Sequence, residues 1–183
     1  TKFKVQIKIA ASFLPPMGYE VLKVCFHERT SKRPEGDVVI LKNGAENKYL
    51  VMHIQEDGTL SVTNKQTQET YHQLNTFVEK GDDGDEYNYS PCIDDTEIRI
   101  NDIHPMITCI ESSSIEVKYR LEYQIQVPEK VVDHHRVQAL KPLKICSDVS
   151  LKANSQTIDF VTKINNHSCD HIVRVCFEDI YKA

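Results

Sequence analysis

From Ile115 to Val127 the chain alternates without a slip. Ile115, Val117, Tyr119, Leu121, Tyr123, Ile125 and Val127 take every second position, and Glu116, Lys118, Arg120, Glu122, Gln124 and Gln126 fill the gaps. A helix would smear these apolar side chains around its axis, whereas a strand sends successive side chains to opposite faces. The segment is therefore predicted to be a strand with one dry and one wet face. At ~3.4 Å per residue it would be on the order of 40 Å long, which demands a large sheet. Each such side chain, once buried, contributes ~1.5–3 kcal/mol, so this one face supplies a major part of a core.

Shorter stretches repeat the pattern. Phe3, Val5, Ile7 and Ile9 alternate with Lys and Gln, and Tyr19 to Phe26 reads as a second strand after the turn Pro15-Pro16-Met17-Gly18. Tyr49 to Ile54 and Leu60 to Thr63 flank Glu56-Asp57-Gly58-Thr59, where the Asp-Gly pair is a strong hairpin signal. Further strands are predicted near Glu97 to Ile100, Met106 to Ile110, Leu143 to Leu151, Thr157 to Ile164 and Ile172 to Phe177. No segment reads as a long helix, so the fold class is all-β, a β-sandwich or a related multi-sheet form. Residues 28–37 are polar and basic, with Pro34 and Gly36, and read as a linker. Residues 1–42 are accordingly assigned to the end of a small β domain plus linker, and residues 43–183 to a larger β-sandwich domain. The core-like strand Val173 to Phe177 lies close to the last residue, so this sandwich is expected to be incomplete.

The 183 residues suffice for one such domain with a small neighbour. A net charge of −5 with scattered basic residues argues against nucleic acid or an anionic membrane surface as partner. No apolar run is long enough to span a bilayer as a helix, and no secretory signal is visible after Thr1. The six cysteines form no CxxC pair, and several sit in apolar stretches such as Val24-Cys25-Phe26. There they act as small buried hydrophobes, and free thiols suit the cytoplasm.

The densest chemical cluster is Gly81-Asp82-Asp83-Gly84-Asp85-Glu86-Tyr87-Asn88-Tyr89-Ser90-Pro91. Carboxylates accept hydrogen bonds from sugar hydroxyls, and aromatic faces cover the apolar side of a sugar ring. The same composition describes a solvated acidic turn between strands, and composition alone favours that plainer reading. An EF-hand spacing is absent. His134 and His135 are adjacent and would point to opposite faces of a strand. His167 and His171, with Cys169 and Asp170 between them, make a slightly better metal set, but turn or surface histidine is the default there. There is no phosphate loop, nucleophile elbow or HExxH motif.

Several segments together carry a resemblance. Glu46-Asn47-Lys48-Tyr49-Leu50, Glu56-Asp57-Gly58-Thr59-Leu60, Thr67 to Tyr71 and Gly84-Asp85-Glu86-Tyr87-Asn88-Tyr89-Ser90-Pro91 occur in that order. So ordered and spaced, they resemble bacterial α-mannosidases of glycoside hydrolase family 38. Leu14-Pro15-Pro16-Met17-Gly18-Tyr19 resembles the turn that closes a small β domain ahead of that region. Pro142-Leu143-Lys144-Ile145, Asp159-Phe160 and Asp170-His171 to Phe177 resemble later strands of the large domain. The resemblance covers nearly the whole chain.

The resemblance implies a galactose-mutarotase-like supersandwich that lies downstream of a catalytic α/β domain. In the family that domain holds a zinc ion on His and Asp residues and the aspartate nucleophile of a retaining mechanism. No catalytic residue, metal ligand or cofactor is therefore expected in this chain itself, and zinc is expected in the parent enzyme. The implied partners are an α-mannoside and the N-terminal catalytic domain; a homo-oligomer is compatible with the sequence. The family's sandwich domain contributes a tyrosine loop, and eukaryotic members carry Gly-Ala-Tyr with a proline four residues later. Tyr87 and Pro91 match that spacing, while Asp85-Glu86 depart from it. Tyr87 is thus the foremost substrate-binding candidate, with Asp85, Glu86 and Tyr89 as neighbours. The implied activity is that of an α-mannosidase or a close relative such as a mannosylglycerate hydrolase, with this chain inactive alone. The alternative reading, a free-standing carbohydrate-binding or purely structural module, is weakened by the absence of Trp.

Overall fold

The computed structural model describes residues 35–177 continuously, together with Lys4, Ile7, Ile9, Leu14 and residues 16–24. Among these residues the regular structure is all strand apart from one turn of 3-10 helix over Ile100–Asp102. Every strand pairing is antiparallel.

The first five strands form a meander. They are β1 (Val39–Leu41), β2 (Gly44–Glu46), β3 (Leu50–Ile54), β4 (Leu60–Asn64) and β5 (Thr70–Leu74), hydrogen-bonded in that order. The hairpin β1–β2 straddles residues 42 and 43. Between β3 and β4 the Asp57-Gly58 turn forms as predicted: Gly58 adopts φ +78°, and Asp57 accepts the Thr59 N–H at 2.9 Å. The left-handed backbone there favours glycine, which has no Cβ to clash.

After β6 (Thr76–Gly81) and β7 (Ile98–Arg99) come β8 (Met106–Ser112) and the long β9 (Glu116–Pro128). A short ribbon of β10 (Val131–Val132) and β11 (His135–Arg136) follows, then β12 (Leu140–Lys152), β13 (Ile158–Asn165) and β14 (His171–Cys176). The second large sheet runs β13-β12-β9-β8, and a small third sheet runs β14-β6-β7.

The alternation in β9 does what its pattern demands. Val117, Tyr119, Leu121, Tyr123, Ile125 and Val127 are buried, and Glu122, Gln124 and Gln126 are exposed. Glu116 is the exception, being buried on the wet register. The dry face of β9 joins Leu143, Ile145, Val149 and Leu151 of β12, and the two strands pack against Met52, Ile54, Leu60 and Val62 of the meander. This is the core of a β-sandwich. Phe77 enters it from β6 and meets the Tyr123 ring edge-on, with centroids 5.5 Å apart.

Two buried asparagines stitch the layers. Asn47 accepts the N–H groups of Tyr49 and Leu50 and donates to the carbonyls of Lys152 and Ser155, at 2.7–2.9 Å. It thereby ties the meander to the end of β12. Asn101 accepts the Phe77 N–H at 2.6 Å and donates to the Asp57 carbonyl and the Tyr123 hydroxyl, both at 3.1 Å.

The N-terminal expectation is corrected in part. Pro16 and Met17 form the expected turn, but residues 19–24 make no strand, and Tyr19, Val21, Leu22 and Val24 are exposed. Among the described residues no strand pairs with them, so their backbone joins no ladder there. Most of the strand expected over Phe3 to Ile9, and Cys25 and Phe26, lie outside the described residues. Among the described residues no helix is long and apolar enough to cross a membrane.

Candidate functional site

The chain leaves β6 at Gly81 and returns to β7 at Ile98, and the acidic, aromatic cluster is the connection between them. Two aspartates shape its tip. Asp82 Oδ1 accepts the backbone N–H groups of Gly84 and Ser90, each at 3.0 Å. Asp85 Oδ1 accepts those of Tyr87 and Asn88 at 2.9 and 2.8 Å. The bonds to Gly84 and Tyr87, two residues on from each aspartate, are Asx turns, in which a short carboxylate replaces the backbone acceptor; the bond from Ser90 to Asp82 spans the tip. The N–H of Tyr87, with that of Asn88 beside it, holds the Asp85 carboxyl below its ordinary range. The Asp83 N–H donates to the Ser90 carbonyl at 2.8 Å and closes the tip.

This geometry separates the four predicted residues. Tyr87 is 84% exposed and stands at the apex, with Glu86 exposed beside it. Asp85 directs one oxygen into the loop's own backbone. Tyr89 is partly covered by Arg174 of β14, whose guanidinium carbon lies 5.2 Å from the ring centroid, a cation–π distance.

The base of the loop is rigidly held. The Asp82 N–H donates to the Asp170 carbonyl at 2.9 Å, and the Ile93 N–H to the His134 carbonyl at 2.8 Å. His134 Nδ1 bonds the Asp83 carboxylate. That hydrogen bond, and the negative charge behind it, raise the His134 pKa. Asp133 and His134 both have positive φ, 48° and 65°, the backbone that a tight two-residue hairpin requires. His134 therefore belongs to the turn, and His135 to β11.

Beneath the loop lies a buried ionic cluster. Arg136 of β11 donates Nη1 to Glu79 at 3.0 Å and to Asp95 at 3.3 Å, and Nη2 also meets Glu79. The Glu79 side chain is wholly buried, and those of Asp95 and Arg136 nearly so. His171 Nδ1 approaches Glu79 at 2.9 Å, and its Nε2 approaches Asn166 at 3.0 Å. Burial works against the charge on Arg136, but the two carboxylates outweigh it and raise its pKa. His167 is exposed and takes no part. Sequence reading missed this cluster because its members come from four separated segments; a lone Glu between Val78 and Lys80 was the sole local sign.

Among the described residues no three His, Cys, Asp or Glu side chains are placed to hold a metal ion. These residues do not fit a zinc site. The described cysteines are all free thiols.

Comparison with known proteins agrees with this architecture. A search of curated proteins finds no match. An α-mannosidase from Enterococcus faecalis V583 superposes with a TM-score of 0.76 at 27% identity, over 80% of this chain and 19% of that one. A second structure from Enterococcus faecalis, of a protein in glycosyl hydrolase family 38, gives the same TM-score and identity over 80% of this chain and 20% of that one. The chain thus spans about one-fifth of the length of the solved proteins it matches. Residues 45–178 match the model of the glycosyl hydrolases family 38 C-terminal domain, a stretch that holds the strands from β3 to β14 and the Tyr87 loop, and by it the chain belongs to glycosyl hydrolase family 38.

Proposed function

We propose that this chain is the β-sandwich part of a zinc-dependent, retaining α-mannosidase and that its 82–91 loop lines the sugar pocket formed with a separate catalytic domain. The single observation that carries the reading is the exposure of Tyr87 at the tip of a loop whose backbone is pinned by two aspartates. A large aromatic side chain held out by a rigid loop is poised to meet a partner surface. Its hydroxyl both donates and accepts, and so can bond adjacent sugar hydroxyls while the ring packs. Glu86 beside it and Tyr89 below it are assigned to the same lining, and Asp85 acts through the loop's shape.

The zinc and the nucleophile are assigned to the catalytic domain. The chemistry there follows the two-carboxylate scheme of retaining glycosidases. An α-mannoside is the substrate class; mannosylglycerate is a narrower candidate within it. The free thiols support a cytoplasmic setting.

The test is Tyr87→Phe in the full-length enzyme that carries this chain. Loss of one hydroxyl contact in the transition state is expected to lower kcat/KM by roughly tenfold, about the worth of one hydrogen bond. An unchanged kcat/KM in a normally folded variant would leave the domain a purely structural role.

A further inference from the structure

We propose that Arg136 is the positioning residue of the Tyr87 loop: from the β10–β11 ribbon it clamps the limb that leaves β6 to the limb that returns toward β7. The inference rests on the functional reading of Tyr87 given above.

Glu79 precedes the exit of the loop at Gly81, and Asp95 lies on its return limb; one guanidinium bonds both. Asp95 also accepts the Gly81 N–H at 2.8 Å through its other oxygen. Exit strand, return limb and ribbon are thus joined through one carboxylate and one guanidinium. The close packing needs a bare backbone at the exit. A Cβ on Gly81 would lie 2.7 Å from Cys92 Sγ and 2.8 Å from Arg136 Cδ. The ribbon adds two further ties to the same loop, the His134 carbonyl to Ile93 and the His134 ring to Asp83.

Arg136 lies on the β10–β11 ribbon and Asp95 on the loop's return limb, both outside the strands of the two large sheets, so the clamp acts on the loop more than on the sandwich. A planar guanidinium can serve two carboxylates at fixed angles, which the single ammonium of lysine cannot reproduce. Without that fork two buried carboxylates lose their shared partner, and the bond between Asp95 and the Gly81 N–H is left to hold the limbs without the ribbon's tie.

The experiment is a double-mutant cycle in the full-length enzyme that carries this chain, with Arg136→Lys and Tyr87→Phe made singly and together. kcat and KM are measured on an aryl α-mannoside, and amide exchange is followed over residues 84–91 and over β9. Arg136→Lys is expected to lower kcat/KM by roughly tenfold or more, as misplacement of a contact residue does. In the Tyr87→Phe background the same change should cost less than about twofold, because the two act as a unit. Amide exchange should quicken over residues 84–91 and not over β9. If Arg136→Lys does not yield folded enzyme, Asp95→Asn, which keeps an acceptor for the Gly81 N–H, carries the same cycle.

Penalties that multiply fully in the double variant, or exchange that quickens equally in β9, would overturn the positioning role. A silent Tyr87→Phe with a loosened loop in Arg136→Lys would instead overturn the functional reading and leave the clamp standing.

Discussion

Asp85 takes the N–H of Tyr87 on the same oxygen, Oδ1, that takes the N–H of Asn88. The carboxylate that looked like a sugar acceptor in the sequence is engaged in holding up the tyrosine two residues on. Asp85→Asn retains an acceptor oxygen and should preserve the turn. Asp85→Ala should free the amides of Tyr87 and Asn88, seen as faster exchange at those two protons. In the full-length enzyme it should also lower kcat/KM by roughly threefold or more. Equal exchange in the Ala and Asn variants would show that the turn does not depend on this oxygen.

The bond between His134 and Asp83 makes the loop's attachment depend on pH. The His134 pKa is raised in the folded chain, so the attachment is fully present below the ordinary histidine value of about 6.5. It is lost as pH rises through the raised folded value. Protection of residues 82–91 from exchange, corrected for the intrinsic pH dependence of exchange, should be greater at pH 6 than at pH 9. His134→Gln should flatten that difference.

On the wet face of the sandwich, Arg120 and Asp148 stand opposite one another on β9 and β12 and pair twice, at 2.7 and 2.8 Å. The guanidinium holds the Asp148 carboxyl below its ordinary range. The stabilisation is therefore present above the unfolded carboxylate value of about 3.9 and is lost as pH falls through the lowered folded value. Arg120 is partly solvated, so water screens the pair and keeps its contribution small. Asp148→Asn should lower Tm at pH 7, and the gap to the parent chain should close toward pH 2.

Gly58 and Asn47 offer two stability tests. A Cβ at position 58 would lie 2.0 Å from the Tyr123 hydroxyl and 2.7 Å from Pro105 Cγ, on a backbone at φ +78°. Gly58→Ala should destabilise by about 1–3 kcal/mol in denaturant unfolding, combining backbone strain with overpacking. Asn47→Ala removes four hydrogen bonds, two that tie the meander to the end of β12 and two that hold the turn into β3. Because the stranded partners are buried or partly so, it should cost about 1–3 kcal/mol. A neutral result at either site would show that the local structure relaxes around it.

As a separate check on the division of labour, the 183-residue chain alone should not hydrolyse an aryl α-mannoside. A rate within roughly tenfold of an intact family 38 homologue, where one factor of ten is about 1.4 kcal/mol of barrier, would show that the chemistry resides here.

Much of the sandwich was legible because burial on one face imposes a period of two. β9, β12, β3 and β4 were read from alternation and from the Asp57-Gly58 turn, since those signals are local. β6 was not read: Phe77, Val78 and Glu79 are buried in succession, which breaks the alternation, and a glutamate inside a strand looks like surface. The short β1, β2, β10 and β11 hold too few residues for any period to show. The strand expected over Tyr19 to Phe26 has the right pattern, yet its described residues, 19–24, form no ladder, because a ladder requires a neighbour that pattern cannot supply.

The same division runs through the site. The amino-acid order alone determined that an acidic, tyrosine-bearing loop interrupts an all-β chain, because turn chemistry and strand periodicity act over a few residues. Only the tertiary structure decided that Asp85 spends an oxygen on the loop's own backbone, that Tyr87 stands out at the apex, and that Glu79, Asp95, Arg136 and His171 meet beneath them. Buried charges must find partners, and the partners available to Glu79 lie as far away as β11 and β14. That choice is made by which segments the sheets bring together, and no local pattern records it.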